Sequence, residues 1–221
     1  YSSAASDVYK RQPEQGLVYD AKNLAFILPA GKYIGNSRYK DVFAASAMAD
    51  LTSFRNHWGA ETSLDVELYR PVARYELVAK DVATFLNKLS TGGLKGESFT
   101  ARVKYSDYLP TGYNLWDDVP KNSLMYMEYK VAFERPADGT KELQLGFDYV
   151  LTDAGETVSI PVELEILNEK NEVLARTAFR IPCERGKNTT VRGNFLTSDI
   201  NGGIGIDPDY DGDLEVDLGE L

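Results

Sequence analysis

Cysteine and histidine are nearly missing from this chain: Cys183 and His57 are each the sole example in 221 residues. One cysteine excludes an internal disulfide, and one histidine leaves little material for a His-based zinc site or a catalytic triad. Long apolar runs are missing too, and none reaches the roughly 20 residues a membrane helix needs. Basic residues are the minority, with 24 Lys and Arg against 34 Asp and Glu and a formal net charge of −10. That balance argues against a nucleic-acid partner, because phosphate binding needs clustered cations. No charged-then-apolar secretion leader is visible; for an exported protein the expectation is that it has been lost.

What is present reads as a packed β protein. Hydrophobic residues make up 43%, with 14 Tyr and 9 Phe, enough for one good core. Ala73, Tyr75, Leu77 and Ala79 alternate with Arg74 and Glu76, and Pro71 suits an edge or bulge rather than a central strand. Asp81 stands where it would cap a short helix carrying Val82, Phe85, Leu86 and Leu89. Phe99, Ala101, Val103 and Tyr105 share a face, as do Met125, Met127, Tyr129, Val131 and Phe133. Leu143, Leu145, Phe147, Tyr149 and Leu151 form another face, with Glu142, Gln144 and Asp148 opposite. Val162 to Ile166 leads through Asn168–Asn171 into Val173 to Ile181, a hairpin. Thr189, Val191, Gly193 and Phe195 add a strand, and Leu214, Val216 and Leu218 a closing one. The expected fold is all-β: an antiparallel sandwich with one short helix. One helix cannot supply the crossovers of a parallel α/β sheet.

Ser2–Gln12 reads SSAASDVYKRQ and resembles an in-frame translation of a transposase-type sequencing adapter. Residues 1–12 are therefore expected to be non-native and disordered. Residues 13–62, broken by Pro29, Gly31 and Gly35, read as the remnant of a truncated N-terminal β domain, and 63–221 as the sandwich.

Few residues look placed for chemistry. Asp207, Asp209, Asp211 and Gly212 reproduce the opening of a D-x-D-x-D-G calcium loop, with Glu215 at its ninth position. The twelfth position is Leu218 where a bidentate Glu belongs, so an acidic turn is the stronger reading. Asp117 and Asp118 are adjacent and unsuited to flank one sugar, so Pro110–Asn114 and this pair read as a turn and a solvated bend. His57 beside Trp58 reads as loop packing, and Cys183 as a half-buried structural thiol. Gly202-Gly203 has no P-loop lysine after it. Nothing assembles a nucleophile, a base and an oxyanion site, so neither an enzyme nor a cofactor is expected.

Several stretches resemble the fimbrillin-like proteins of Bacteroidetes, subunits of type V pili. Asp65–Asp81, with Arg70 and Pro71, is similar to that family's L-x-R-P-x-A strand and helix; Tyr108–Asn114 is similar to its aromatic-Pro-x-Gly-aromatic-Asn turn. Phe147–Leu151 resembles its x-D-Y-V strand. Arg185, Thr189, Gly193, Leu196 and Thr197 fall on its late signature, and Ile206–Gly212 on its terminal acidic segment. The resemblance implies transthyretin-like β-sandwich domains, export as a lipoprotein to the outer-membrane surface, and other fimbrial subunits as partners. It also implies joining by β-augmentation, with Leu214, Val216 and Leu218 as the strand kept at home or passed to a neighbour. A host or bacterial surface ligand is the further partner expected, and membrane contact only through a lipid anchor absent from this sequence. The competing reading is a surface glycan-binding module, in which Trp58 and Trp116 would form one platform.

Overall fold

The computed structural model describes residues 18–20, 26–29, 31–57, 59 and 61–198, and strand 214–217, with backbone alone for 26–28 and 214–217. The expectations for residues 1–12 lie outside the described residues. In chain order the strands are β1 (Tyr19–Asp20), β2 (Phe26–Pro29), β3 (Val72–Ala79), β4 (Ser98–Tyr105), β5 (Leu109–Asn114), β6 (Val119–Leu124), β7 (Glu128–Glu134), β8 (Leu143–Leu151), β9 (Val158–Asn168), β10 (Val173–Cys183), β11 (Asn188–Gly193) and β12 (Leu214–Asp217). Between β3 and β4 runs the helix α1 (Val82–Ser90).

These strands form three four-stranded sheets, ordered β10-β9-β4-β7, β12-β11-β3-β8 and β1-β2-β5-β6. The first two are the all-β sandwich that the alternation predicts. Between them lies the main core, built from Tyr75 and Leu77 on β3, Phe99, Val103 and Tyr105 on β4, Leu164 and Ile166 on β9, and Ile181 on β10. Helix α1 closes one end by burying Val82, Phe85 and Leu86, with Phe85 edge-on to Phe99 at 5.1 Å. The third sheet packs a smaller cluster of Tyr19 and Tyr113 against Val72 and Leu151.

The pairing departs from the antiparallel expectation at one place. β11 runs parallel to the central strand β3, Asn188 opposite Arg74 through Gly193 opposite Ala79. More than a hundred residues separate the two strands, ample for the crossover that a parallel pair demands.

β8 differs from its predicted facing. Its register against β3 shifts between Leu77 and Val78, which places a bulge at Leu145–Gly146. An inserted residue reverses inside and outside for all that follows. Gly146 has φ +156, and a Cβ there would come within 3.1 Å of Val131 Cγ2 and 3.2 Å of the Tyr129 ring. Only glycine tolerates both the dihedral and the approach. Asp148, placed on the wet face by simple alternation, consequently turns into the core and is fully buried. β5 and β6 differ as well: Tyr108–Asn114, read as a turn, is mostly strand, joined to β6 across Leu115–Asp118. Pro110 is tolerated because it faces Ser123 of β6 beyond the two residues that β2 pairs.

The outer face of the β9 sheet carries a charge ladder. Glu165 is buried beneath Arg102, Lys104 at 2.9 Å and Arg176 at 2.7 Å. Burial alone would raise its carboxyl, but the hydrogen bonds from Lys104, Arg102 and Arg176 outweigh it and lower the pKa from 4.5 to about 2. A depressed folded-state value means that the stabilisation is complete above about pH 4.5 and is lost as pH falls through about 2. The gap in denaturation midpoint between the wild type and Glu165→Gln should therefore close across that window. A gap independent of pH there would refute it.

Candidate functional site

Two places concentrate the residues that bear on function: the β11 edge, and a polar cluster at the open side of the sandwich.

At the edge, β12 pairs antiparallel with β11 and with no other strand among the described residues, Val191 opposite Leu214, Thr189 opposite Val216, and Asn188 opposite Asp217. Thr189 and Val191 are buried, and the register sets them opposite Val216 and Leu214 of the expected assembly strand. Leu218 lies outside the described residues, as do Asp207, Asp209 and Asp211 of the calcium-loop reading. Among the described residues no group of three or more His, Cys, Asp or Glu is placed to hold a metal ion.

The residues of the late signature brace this edge from both ends. Thr189 donates its hydroxyl to the Pro182 carbonyl at 2.7 Å, tying β11 to β10. The Gly193 carbonyl accepts from Lys80 N–H at 3.0 Å. Leu196 and Thr197 donate their backbone N–H groups to the Asp81 carboxylate at 3.1 and 2.9 Å, and Thr197 adds its hydroxyl at 2.7 Å. Asp81 was expected to cap α1; its side chain makes no capping bond and instead stitches the strand-following segment to the helix start. At the other end, Arg185 reaches Asp118 at 2.8 Å and lies 4.0 Å over the Tyr69 ring, while Tyr113 donates to Asp118 at 2.8 Å. Burial raises the Asp118 carboxyl, but the bonds from Arg185, Tyr69 and Tyr113 outweigh it and hold it low. Asp118 is thus a brace between the third sheet and the sandwich rather than a solvated bend. Arg70 binds Asp41 at 2.9 Å and covers Phe43, and the Pro71 carbonyl accepts from Thr152 just before β3 begins. Cys183 is fully buried, and burial pushes its thiol up to about 12, which leaves it unreactive.

The second place was not foreseen. β7 and β8 are the outer strands of the two sandwich sheets, and residues 33–40 run across the opening between them. Asn36 pairs with the free edge of β8, its N–H to the Phe147 carbonyl and its Oδ1 from Phe147 N–H, both at 3.1 Å. Gly35 lies so close to Tyr129 on β7 that a Cβ would fall 2.3 Å from its ring. The segment then sends Tyr33 and Lys40 inward to Asp148. Lys40 Nζ lies 2.6 Å from Asp148 Oδ1 and 3.0 Å from the Tyr33 hydroxyl oxygen. Tyr33 donates to Asp148 Oδ2, and Tyr105 donates to the same oxygen at 2.7 Å. A chain of phenols continues inward, Tyr105 to Tyr75 at 2.6 Å and Tyr75 to Tyr129 at 3.2 Å. Burial lowers the Lys40 ammonium from its usual value despite the opposing pull of Asp148. Burial likewise raises Tyr33 and Tyr105 well above theirs, so both stay protonated donors. The one signal in the sequence was Gly146 inside an otherwise regular strand, the usual mark of a bulge.

For the glycan reading, Trp116 is 71% exposed in the β5–β6 turn, while Trp58 lies outside the described residues. The exposed Tyr108 and Tyr126 sit at the opposite end of that hairpin, about 20 Å away at ordinary strand rise, so they share no platform with Trp116.

No helix among the described residues is long and apolar enough to cross a membrane. No curated protein sequence matches the chain. Among solved structures it is similar to a crystal structure of a "putative cell adhesion protein" from Bacteroides ovatus ATCC 8483, with 13% identity and a TM-score of 0.38. That likeness covers 68% of this chain and 46% of the other, so the chain spans about half the length of that structure. One sequence family matches residues 4–219, nearly the whole length, and the chain therefore belongs to the family of unknown function DUF6562.

Proposed function

We propose that this chain is a non-enzymatic, cell-surface subunit of fimbrial or adhesin type that joins its neighbours by β-strand pairing along β11. The observation that carries the reading is β12: among the described residues it pairs through four residues with one strand, β11, whose Thr189 and Val191 are buried. Such an edge accepts any strand that offers apolar residues at the right period, from the same chain or another, because main-chain hydrogen bonds supply most of the affinity. Of the motifs shared with the fimbrillin-like proteins, the late signature falls on this edge and its braces, which fits a part kept for assembly. Export and lipid anchoring belong to the same reading.

The test removes Gly212–Leu221 and follows the mass of assemblies by analytical ultracentrifugation. The truncated chain should stay folded, lose polymers formed through the donated strand, and bind a synthetic Asp213–Gly219 peptide in trans. Unchanged polymerisation with an intact monomer would sink the donor role. The exposed Trp116 favours glycan binding as a second reading, but the hairpin's other exposed rings, Tyr108 and Tyr126, lie at its far end. Strand pairing is the better supported.

A further inference from the structure

We propose that Lys40 and Asp148 condense into an intramolecular amide bond, made by the fold itself without a cofactor or an outside enzyme. The inference goes beyond the assembly reading and does not rest on it. Three features of the cluster carry it. The amine and the carboxyl are in contact at 2.6 Å with side chains 5% and 0% exposed, so the reacting groups are held together away from solvent. The Tyr33 hydroxyl touches both partners at once, accepting from Nζ at 3.0 Å and donating to Oδ2. Tyr105 supplies a second donor to that same oxygen at 2.7 Å, while the backbone N–H of Tyr149 donates to Oδ1 at 2.8 Å. An ion pair needs only the two charged groups. A phenol that bridges the nitrogen to the oxygen farther from it is what a condensation needs.

The step balances with the protons already present. In the buried pair one proton passes from the ammonium through Tyr33 to Oδ2, leaving a neutral amine and a carboxylic acid. Burial lowers the Lys40 ammonium, which favours release of that proton. Nζ then attacks Cγ, with the developing negative charge on Oδ1 held by the Tyr149 N–H. A second amine proton moves to the Tyr33 oxygen as Tyr33 returns its own to Oδ2. The Cγ–Oδ2 bond breaks, and Oδ2 departs as water carrying both protons. A cleft lined by Tyr19, Lys32, Tyr33, Lys40 and Thr111 borders the Lys40 side of the pair and offers that water a route outward past Tyr33. No oxidant, reductant or metal enters the balance.

The product would lock the segment that seals the opening between β7 and β8 to the centre of a sandwich strand. In a protein pulled at its ends, that closure resists unfolding where strand pairing alone would not.

Intact-mass spectrometry of the full folded chain tests the proposal. The expected mass is one water below that of the sequence, and proteolysis should release a branched peptide joining Lys40 to Asp148. Lys40→Met should restore the full mass. Tyr33→Phe, which removes the relay and leaves both partners, should slow condensation by about 100-fold, the usual worth of a positioned acid–base group. Circular dichroism of this variant should match the wild type. A folded wild-type chain that keeps the full sequence mass on prolonged incubation overturns the bond. Tyr33→Phe condensing at the wild-type rate overturns the relay. The wild-type measurement decides alone if Lys40→Met fails to fold.

Discussion

Lys40→Met is expected to lower the free energy of unfolding by about 3–5 kcal/mol, read as a shift of the urea midpoint toward lower denaturant. The carboxylate it leaves behind lies at 0% exposure among the Tyr33 and Tyr105 hydroxyls, and no other cation among the described residues reaches it in a salt bridge. A buried charge that loses its partner must remain unpaired or take up a proton, and either is unfavourable by several kcal/mol. The loss also removes one of the ties that hold residues 33–40 over the opening, leaving the Asn36–Phe147 pair. In a chain carrying the amide bond the effect is larger, because the cross-link's restriction of the unfolded chain goes with it. Lys40→Met combined with Asp148→Leu should recover part of the loss, since two apolar groups replace the pair. Recovery stays incomplete because Tyr33 loses its acceptor and Tyr105 keeps only Tyr75 as a partner, at about 1–3 kcal/mol for an unsatisfied buried hydroxyl. A single variant within about 1 kcal/mol of wild type, the range of an exposed ion pair, would refute the account.

Much of the sandwich was legible because its strands keep a strict period of two. β4 alternates between half-buried and buried residues along its whole length, with Phe99, Ala101, Val103 and Tyr105 facing inward. The hairpin β9–β10 was legible from its polar loop, where the Asn168 side chain accepts the N–H groups of Lys170 and Glu172 and so folds its own turn. What escaped were features that local pattern does not encode. β8 obeys alternation only as far as its bulge, and past Gly146 the same apolar residues point the other way. β5 hid behind Pro110 and Gly112, whose turn chemistry is overridden by pairing with β6. The parallel register of β11 on β3 joins residues more than a hundred positions apart. The Lys40–Asp148 contact spans 108 positions, and neither side chain carries any local sign of the other. Of the candidate site, the signature residues were found as braces, while the polar cluster beside them was missed for want of the bulge.

Asp81 separates two physical roles that sequence alone merges. As a helix cap its removal would cost about 1 kcal/mol, and Ser would serve nearly as well as Asp. In the structure its carboxylate accepts the N–H groups of Leu196 and Thr197 and the Thr197 hydroxyl instead. Leu196 is fully buried and Phe195 stacks on Phe179 at 5.3 Å, so the segment this carboxylate holds is part of the core wall beside β11. Asp81→Ala leaves those donors without an acceptor, and the expected destabilisation is about 3 kcal/mol, several times the cap value. Asp81→Asn keeps one acceptor oxygen and should lose about half as much. Asp81→Ser is the deciding variant, because its shorter side chain still caps a helix but falls short of the 196–197 backbone. Ser should therefore behave like Ala, with faster amide hydrogen exchange at Leu196 and Thr197 while the amides of α1 keep their protection. A Ser variant as stable as wild type would return Asp81 to the role of a cap and leave the β11 edge braced by Thr189, Gly193 and Arg185.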